Sequence, residues 1–454
     1  MTSLKNILLI ALLSTAVIAQ ENSERIKVVG DSLVGKVING ESVREIYGNV
    51  QLTQGNVFIS CDKAIQYIAR NDAVLEGNVI AIQDSMTIST SEGYYFGDQR
   101  KTSSSTGITL DDKKVVLQAK NGEYFFDDHK AIFKSNVSLF DTSMTLFSDE
   151  LVYFRDEDRA VATGNVRIVD ANNEISADTL VHFRNTKISI ADNNVKIKSL
   201  KNNTIIYGNH LEDYPKKKYT LINENPLLIQ YDTTNVSESE IEIDTLIIKA
   251  EKMEAFRDSS NTFKAIDSVK ILKGKFASIN DFTLYLRNDD IIITNKISED
   301  AAEPVLWYEN SQLTGDSVTI FIRDDKISQL DVTGKAFMLS QNKIYPDRYD
   351  QTSSTNLHLY FAENKLKRAE FVGDVLSIYY LYEEEEANGL TKSSAKNVTI
   401  VFENNEVNEV RLYGSPSSEF YPEIDVTGNE KAFTLPKFIF YPNRPVKEEL
   451  LKIN

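Results

Sequence analysis

The chain has 454 residues, a length that corresponds to one very large domain or to two or three ordinary ones. Its composition, 41% hydrophobic and 10% aromatic, argues against a disordered chain. Its formal net charge of −17 argues against a protein that binds nucleic acid through phosphates or docks on an anionic membrane, because both need a basic face. The single cysteine, Cys61, cannot form an internal disulfide, and its place in a predicted strand indicates a buried structural thiol.

The chain begins with a predicted export signal. Lys5 precedes the apolar run Ile7–Leu13, and Val17-Ile18-Ala19 is typical of a cleavage site before Gln20. The apolar run is short for a membrane-spanning helix, and no cysteine stands at the cleavage point to carry a lipid anchor. Residues 1–19 are therefore predicted to be a signal peptide that is removed near Ala19.

A period of 29 residues organises residues 46–200. Asparagines 49, 78, 136, 165 and 194 mark it, with Gly107 at the one missing position. Residues one and three after each mark are apolar, which predicts a half-buried strand. The tenth residue is apolar, the thirteenth polar and the eighteenth aromatic. Because several columns repeat together, we interpret the segment as one structural unit copied along an array.

Three of these columns supply the candidate positions. The apolar column holds Ile59, Ile88, Leu117, Leu146 and Ile175. The polar column holds Asp62, Ser91, Lys120, Asp149 and Asp178. The aromatic column holds Tyr67, Phe96, Phe125, Phe154 and Phe183.

The second half of the chain repeats this pattern with longer spacing. Around 201–240 the register loosens, with Pro215 and Pro226, which predicts an irregular join. From 241 to 421 similar strands and turns return, and the glycines at 334, 373 and 414 close units 39 and 41 residues apart. The predicted boundaries are a signal peptide over 1–19, repeat regions over 20–200 and 241–421, a join over 201–240 and an irregular tail over 422–454.

Two all-β folds fit such an array. Each unit has an apolar face that it cannot bury alone, so neighbouring units must close a shared core. An extended antiparallel β-jelly-roll and a parallel β-helix with one coil per unit both satisfy this requirement. Short acidic turns such as Asp324-Asp325 join adjacent strands tightly and favour the antiparallel jelly-roll, with the β-helix as the alternative. The open ends of either array leave strand edges that can pair with another chain.

The repeated unit resembles the OstA-like repeat of the lipopolysaccharide-transport proteins LptA and LptC and of the N-terminal domain of LptD. The resemblance rests on Gly-Asn-Val, an apolar strand, a Ser-Asp or Ala-Asp step and a strand that ends in an aromatic residue. It is best over 43–200, in VREIYGNVQLTQGNVFISCDKAIQY, AVLEGNVIAI, LFSDELVYF and AVATGNVRIVDANNEISADTLVHF, and extends more weakly to about 421. The chain is much longer than a single-domain member.

The resemblance implies a periplasmic transport protein that is not an enzyme and needs no cofactor. Its expected ligand is lipopolysaccharide, held by the lipid A acyl chains in the apolar groove between the sheets. The expected partners are other Lpt-type proteins, bound through strand-edge pairing, and further copies of the chain, joined end to end. The expected location is the periplasm, and association of the protein with the outer membrane stays open. The groove candidates are the ten residues of the apolar and aromatic columns: Ile59, Tyr67, Ile88, Phe96, Leu117, Phe125, Leu146, Phe154, Ile175 and Phe183.

The sequence predicts no catalytic residue and no metal ligand. Gly30-Asp31-Ser32-Leu33 spells the nucleophile block of GDSL-type hydrolases, but no histidine has an aspartate three residues before it. The four histidines are scattered, without the paired spacing of a zinc site. Two alternatives stay open: a β-helical polysaccharide lyase or hydrolase that uses the polar column, and a structural or adhesive scaffold.

Overall fold

Antiparallel strands build almost all of this computed structural model. It describes residues 25–237, 240–324, 326–363, 365–384, 386–403 and 406–452, so the predicted signal peptide lies outside the described residues. Among these residues every strand pairing that the structure defines is antiparallel (β4 with β5 and β13 with β14, for example). The all-β, antiparallel prediction is confirmed, and the parallel β-helix is wrong because its neighbouring coils would pair in parallel.

The chain forms two compact units that divide between Phe133 and Lys134. The described part of the first unit contains ten complete strands: β1 (Lys27–Val29), β2 (Ser32–Ile38), β3 (Glu41–Gln54), β4 (Val57–Tyr67), β5 (Asp72–Gln83), β6 (Met86–Phe96), β7 (Lys101–Ser104), β8 (Ile108–Asp111), β9 (Val116–Ala119) and β10 (Asn121–Phe125). Strand β11 (Lys130–Phe140) contains the division.

The second unit continues with twenty-one strands and two short α-helices in its described residues. Up to the middle of the unit the strands are β12 (Thr145–Phe154), β13 (Arg159–Val169), β14 (Asn173–Phe183), β15 (Ile188–Ser199), β16 (Thr204–Tyr214), β17 (Tyr219–Asn223), β18 (Leu227–Ser237), β19 (Glu240–Lys249), β20 (Lys252–Phe256), β21 (Thr262–Lys273) and β22 (Phe276–Leu286). The remaining elements are β23 (Ile291–Asn295), β24 (Val305–Tyr308), β25 (Ser311–Thr314), β26 (Ser317–Arg323), β27 (Lys326–Gln341), β28 (Tyr349–Ala362), β29 (Lys365–Glu383), β30 (Glu386–Glu403), β31 (Glu406–Tyr413), β32 (Ser417–Tyr421), α1 (Glu423–Val426) and α2 (Lys447–Leu450).

The asparagine marks of the sequence are two-residue bulges. In β5, Gly77 and Asn78 have φ values of 76° and 45°, and the pairing with β4 changes register there. Asparagine tolerates this left-handed backbone better than most residues, which explains its recurrence. Asn78 Nδ2 also donates a hydrogen bond to Asp62 Oδ2 across 2.9 Å. The polar column therefore contains the structural partners of the bulges.

The same pairing of asparagine and aspartate recurs along the array. Asn Nδ2 donates to an Asp carboxylate at 2.7–2.9 Å in three further pairs: Asn49–Asp31, Asn165–Asp149 and Asn194–Asp178. Pairs of left-handed residues continue into the longer repeats, at 224–225, 267–268, 334–335, 373–374 and 414–415. The two-residue bulge therefore recurs in the second repeat region.

Substitution of Gly77 with alanine is expected to destabilise the first unit by about 1–3 kcal/mol. The φ of 76° disfavours any β-carbon, and that carbon would lie 2.9 Å from Asp62 Cβ and Cγ. Urea unfolding of the full-length protein measures the effect. The matched control is Gly35→Ala, because Gly35 lies in β2 with no atom within 4 Å of the place that a β-carbon would take. Equal unfolding midpoints for the two variants would contradict the bulge assignment.

Each bulge also changes the side-chain alternation of the strand that pairs with it. In β4, Val57, Ile59 and Cys61 are buried, and the next buried residues are Ala64 and Gln66. The step of three residues from 61 to 64 exchanges the inward and outward sides, because side chains in a regular strand alternate every residue. Both halves of the strand therefore bury side chains toward the interior, as the predicted jelly-roll requires.

Residues 201–240, for which the sequence predicted an irregular join, contain β16, β17 and β18 within their described part. A single 3₁₀ turn at Pro215–Lys217 separates β16 from β17, and the left-handed pair 224–225 separates β17 from β18. Proline and the lysine run mark the turn and do not end the sheet.

The tail, residues 422–452, runs back over the second unit. Buried Gln351 donates from Nε2 to the carbonyl of Phe433 at 3.0 Å and accepts from the amide of Leu435 at 2.8 Å. Gln312 makes the same pair of bonds to the backbone six residues further on. Each glutamine amide thus replaces a peptide group of a neighbouring strand. Near the end of the tail, Leu450 packs against buried residues of β18 and β19.

Candidate functional site

The apolar column lies in the core between the sheet halves. Ile59, Ile88, Leu117 and Leu146 are at most 2% exposed, and Ile175 is half-buried. The interior at these positions is closed by the protein's own side chains. A ligand that used it would have to displace some of them.

The aromatic column lies on the opposite, outward side. Tyr67, Phe96, Phe125, Phe154 and Phe183 are all half-buried, and each follows a buried residue on its strand. A spacing of eight residues from the apolar column predicted the same face, but the step at Asp62 and its equivalents exchanges the two sides. The sequence-predicted groove candidates therefore divide into five inward and five outward positions.

Several of the outward rings are covered by cations. The guanidinium of Arg70 lies 4.1 Å from the ring centroid of Tyr67, and that of Arg159 lies 3.9 Å from Phe154. In the first unit, Lys101 Nζ lies 4.7 Å from the centroid of Phe96. Contacts of this kind are favourable on a protein surface and explain why the aromatic residues recur without being buried.

A column that the sequence analysis missed closes the core in the first unit. Tyr95 and Tyr124 are fully buried at the position just before the aromatic column. Tyr95 Oη donates to Gln54 Oε1 at 2.5 Å, and Gln54 Nε2 donates to the carbonyl of Gly97 at 3.0 Å. Burial raises the pKa of Tyr95, so its hydroxyl remains a donor. The 29-residue spacing of these tyrosines was the available signal.

The corresponding position of the second unit holds Tyr153 and, one repeat later, His182. His182 is 7% exposed, and its Nδ1 lies 3.0 Å from Ser189 Oγ. Burial lowers the pKa of His182 to about 4, so the imidazole is neutral at physiological pH. His182 is therefore a buried polar residue whose hydrogen bond to Ser189 lies within the protein.

Further along the second unit the core reaches the surface. One apolar cluster joins residues from β18 to β30, including Phe263, Leu306, Leu330, Leu357 and Phe371. Half-buried apolar side chains border it: Ile206, Leu246, Ala255, Tyr285, Ile292, Ile327, Met338, Phe361, Leu366, Ile400, Phe402 and Leu412. These residues form the partly accessible border of this cluster, and we call them the core margin.

The residues considered for catalysis are engaged in the repeat framework. Asp31 of the Gly-Asp-Ser-Leu block accepts a hydrogen bond from Asn49. His210 lies between Asp192 and Glu212, with 2.6 Å from its Nδ1 to Asp192 Oδ1, and the pKa of His210 is raised by that contact. Among the described residues, no group of three His, Cys, Asp or Glu side chains is placed to hold a metal ion.

Cys61 is a buried free thiol, as predicted. Its Sγ lies 3.2 Å from the carbonyl of Lys63, and burial raises the pKa of the thiol to about 11. The reactive thiolate is therefore scarce at neutral pH, which is typical of a structural cysteine. Separately, none of the helices among the described residues has the length and apolarity needed to cross a membrane.

Comparison with protein families identifies part of the array. Residues 28–125 match the model of a family described as OstA-like protein. No curated protein matches the chain. The matched segment covers β2–β10 and most of β1, including the bulges at 48–49 and 77–78. Residues 28–125 are therefore OstA-like, which confirms the family resemblance seen in the repeated unit.

Proposed function

We propose that this protein binds lipopolysaccharide in the periplasm and passes its acyl chains along the inter-sheet core toward the outer membrane. Two observations carry the proposal: residues 28–125 match the OstA-like family, and in the second unit an apolar core cluster continues from β18 to β30. Such a core is a route for a chain-like apolar ligand, whereas an enzyme needs a localised group of acids and bases. The polar column does not provide one, since Asp62, Asp149 and Asp178 bind asparagines of the bulges.

The energetics of acyl binding favour the core. Burial of a methylene group contributes about 0.8 kcal/mol, so about ten methylenes contribute on the order of 8 kcal/mol before ordering costs. The inward column is closed, so we place acyl entry at the core margin of the second unit. There, apolar side chains such as Leu246, Tyr285 and Phe361 are only half-buried.

Partners of the array are expected at its open strand edges. In the first unit, β2 pairs with β3 on one side, and its exposed side chains include Leu33 at 55% and Val37 at 71%. In the second unit, β31 pairs with β30 and exposes Val410 at 47%. Such edges support β-strand addition by another Lpt-type protein or by a second copy.

Photocrosslinking in cells tests the conduit. A photoreactive amino acid at the core-margin positions Leu246, Tyr285 or Phe361 is expected to capture lipopolysaccharide, because acyl entry is proposed there. Tyr231 and Phe420 are the controls, since they lie in the same unit but their side chains are exposed. Immunoblotting for lipopolysaccharide on the purified adducts measures capture, and circular dichroism verifies that each variant is folded.

Capture of lipopolysaccharide only at the exposed control positions would overturn the proposed passage of acyl chains along the core. The scaffold alternative is separated by depletion of the protein. Accumulation of lipopolysaccharide inside the outer membrane is expected if the protein transports it. Normal surface lipopolysaccharide after depletion would instead favour a structural or adhesive role.

A further inference from the structure

Three arginines of the second unit occupy one repeated position, directly after or near the end of a strand. Their backbone amides each donate to the carbonyl of a left-handed turn residue: Arg184 to Asp158 at 2.9 Å, Arg257 to Lys218 at 2.7 Å and Arg287 to Asn261 at 3.3 Å. The repeat therefore allows a direct comparison of three guanidinium groups in one backbone setting.

Two of the three guanidinium groups are neutralised by aspartate. Arg184 Nη2 donates to Asp158, the turn residue itself. Arg257 Nη2 donates to Asp213 Oδ1 at 2.7 Å. These pairs satisfy the charge within the protein and leave no role for an external anion.

Arg287 has no carboxylate partner among the described residues. Its turn residue is Asn261, a neutral amide, which donates instead to Asn288 Oδ1 at 3.0 Å. The guanidinium lies 5.5 Å from the ring centroid of Phe263 and 6.0 Å from that of Tyr285. Burial lowers the pKa of Arg287, although the group stays protonated at neutral pH.

Arg287 also stands next to the apolar core. Thr283 is buried and Tyr285 belongs to the core margin, and strand alternation places residue 287 on the same side. Phe263, beneath the guanidinium, is 4% exposed and belongs to the core cluster. Arg287 itself is half-buried, so part of its surface is reachable from solvent. A charged donor fork thus lies where the apolar interior meets water.

We propose that Arg287 binds the anionic group, a phosphate or carboxylate, of an amphiphile whose acyl chain enters the core margin. This inference rests on the proposed acyl-binding function and adds the residue that selects an anionic headgroup. The planar guanidinium can donate two parallel hydrogen bonds to either group. Residue 261 is an asparagine, whereas the equivalent turn position of Arg184 is Asp158, so the guanidinium donors of Arg287 have no carboxylate partner in the described part of the chain. The adjacent rings of Phe263 and Tyr285 hold the side chain over the core.

Titration calorimetry of the full-length protein with monomeric dodecyl phosphate and with neutral dodecyl maltoside tests the proposal. Arg287→Ala is expected to weaken dodecyl phosphate binding about tenfold or more and to change dodecyl maltoside binding less than twofold. Asn261→Asp is expected to weaken dodecyl phosphate similarly, because it restores the carboxylate that stands at Asp158. Arg287→Lys should retain part of the affinity, and Arg257→Ala is the matched control with unchanged binding.

The outcomes separate this inference from the function on which it rests. If both amphiphiles bind and neither Arg287→Ala nor Asn261→Asp affects dodecyl phosphate, the role of Arg287 is refuted while acyl binding stands. If neither amphiphile binds, the proposed function fails and the inference fails with it. Inorganic phosphate alone, if it binds Arg287 as tightly as dodecyl phosphate, overturns the amphiphile assignment in favour of a free-anion site. Asn261→Asp keeps Arg287 in place, so it decides the question even if Arg287→Ala does not fold.

Discussion

Replacement of Arg348 with alanine is expected to reduce the free energy of unfolding of the second unit by roughly 3 kcal/mol. The Arg348 side chain is 3% exposed and donates to both carboxylate oxygens of Glu423, at 2.5 and 3.1 Å. It also lies 3.4 Å from Glu430, and its guanidinium stacks near the rings of Tyr345 and Tyr380. Removal would leave two tail carboxylates without their shared cation and open a gap beside the rings.

The loss should begin at the tail. Arg348 holds the first turn of residues 422–452, and the glutamine amides of Gln351 and Gln312 bind the tail further along. Limited proteolysis should therefore cut the tail of Arg348→Ala earlier than that of the unchanged protein, and urea unfolding measures the global effect. Arg368→Ala is the control, because the Arg368 side chain is 47% exposed and pairs with Glu370 on the surface. Similar losses in the two variants would show that the tail is not anchored by Arg348.

The repeat could be predicted from sequence because its signals are local. Asn78 adopts a left-handed backbone for reasons internal to the residue, and its partner Asp62 recurs at a fixed distance along the chain. Antiparallel pairing followed from short turns between strands. Local chemistry of this kind is visible in one repeat and is reinforced by each copy.

The sequence did not predict that the aromatic column points outward. Ile59 and Tyr67 are eight residues apart, and a continuous strand would place them on one side. The bend at Asp62 exchanges the sides, and its cause is the extra residue in the paired strand β5. A pattern read along one strand does not contain the bulge of its neighbour. The buried tyrosines at the preceding position, such as Tyr95, show the true inward register.

The tail contacts and the role of Arg287 could not be predicted from the sequence, because both depend on residues far apart in the chain. The tail has no hydrophobic periodicity, and its binding residue Gln351 lies 84 residues before Leu435. The distinction of Arg287 likewise depends on what is missing at Asn261, in the turn before the neighbouring strand. Neither residue belongs to a motif, so only the folded arrangement identifies them.

Replacement of Asp350 with asparagine is expected to raise the free energy of unfolding at pH 8 by roughly 2–4 kcal/mol. Burial raises the pKa of Asp350 from 3.8 to about 7, since its charged form is poorly solvated. The folded protein therefore binds a proton that the unfolded chain has lost between about pH 4 and 7. Stability from this group is greatest below pH 4, falls as pH rises to about 7 and stays low above it. Asparagine removes this dependence.

The shape of the pH profile is the decisive measurement. The side-chain carbonyl introduced by Asp350→Asn can still accept the hydrogen bond that Asp350 receives from the Tyr380 amide at 2.9 Å, so the substitution changes charge and little else. Urea unfolding from pH 4 to 9 should give curves for the two proteins that meet near pH 4 and separate up to about pH 7. Asp347→Asn, at an exposed position in the preceding turn, is the control and should follow the unchanged protein. A constant offset between Asp350→Asn and the unchanged protein across the whole range would contradict the titration, because a packing effect does not depend on the protonation of one carboxyl group.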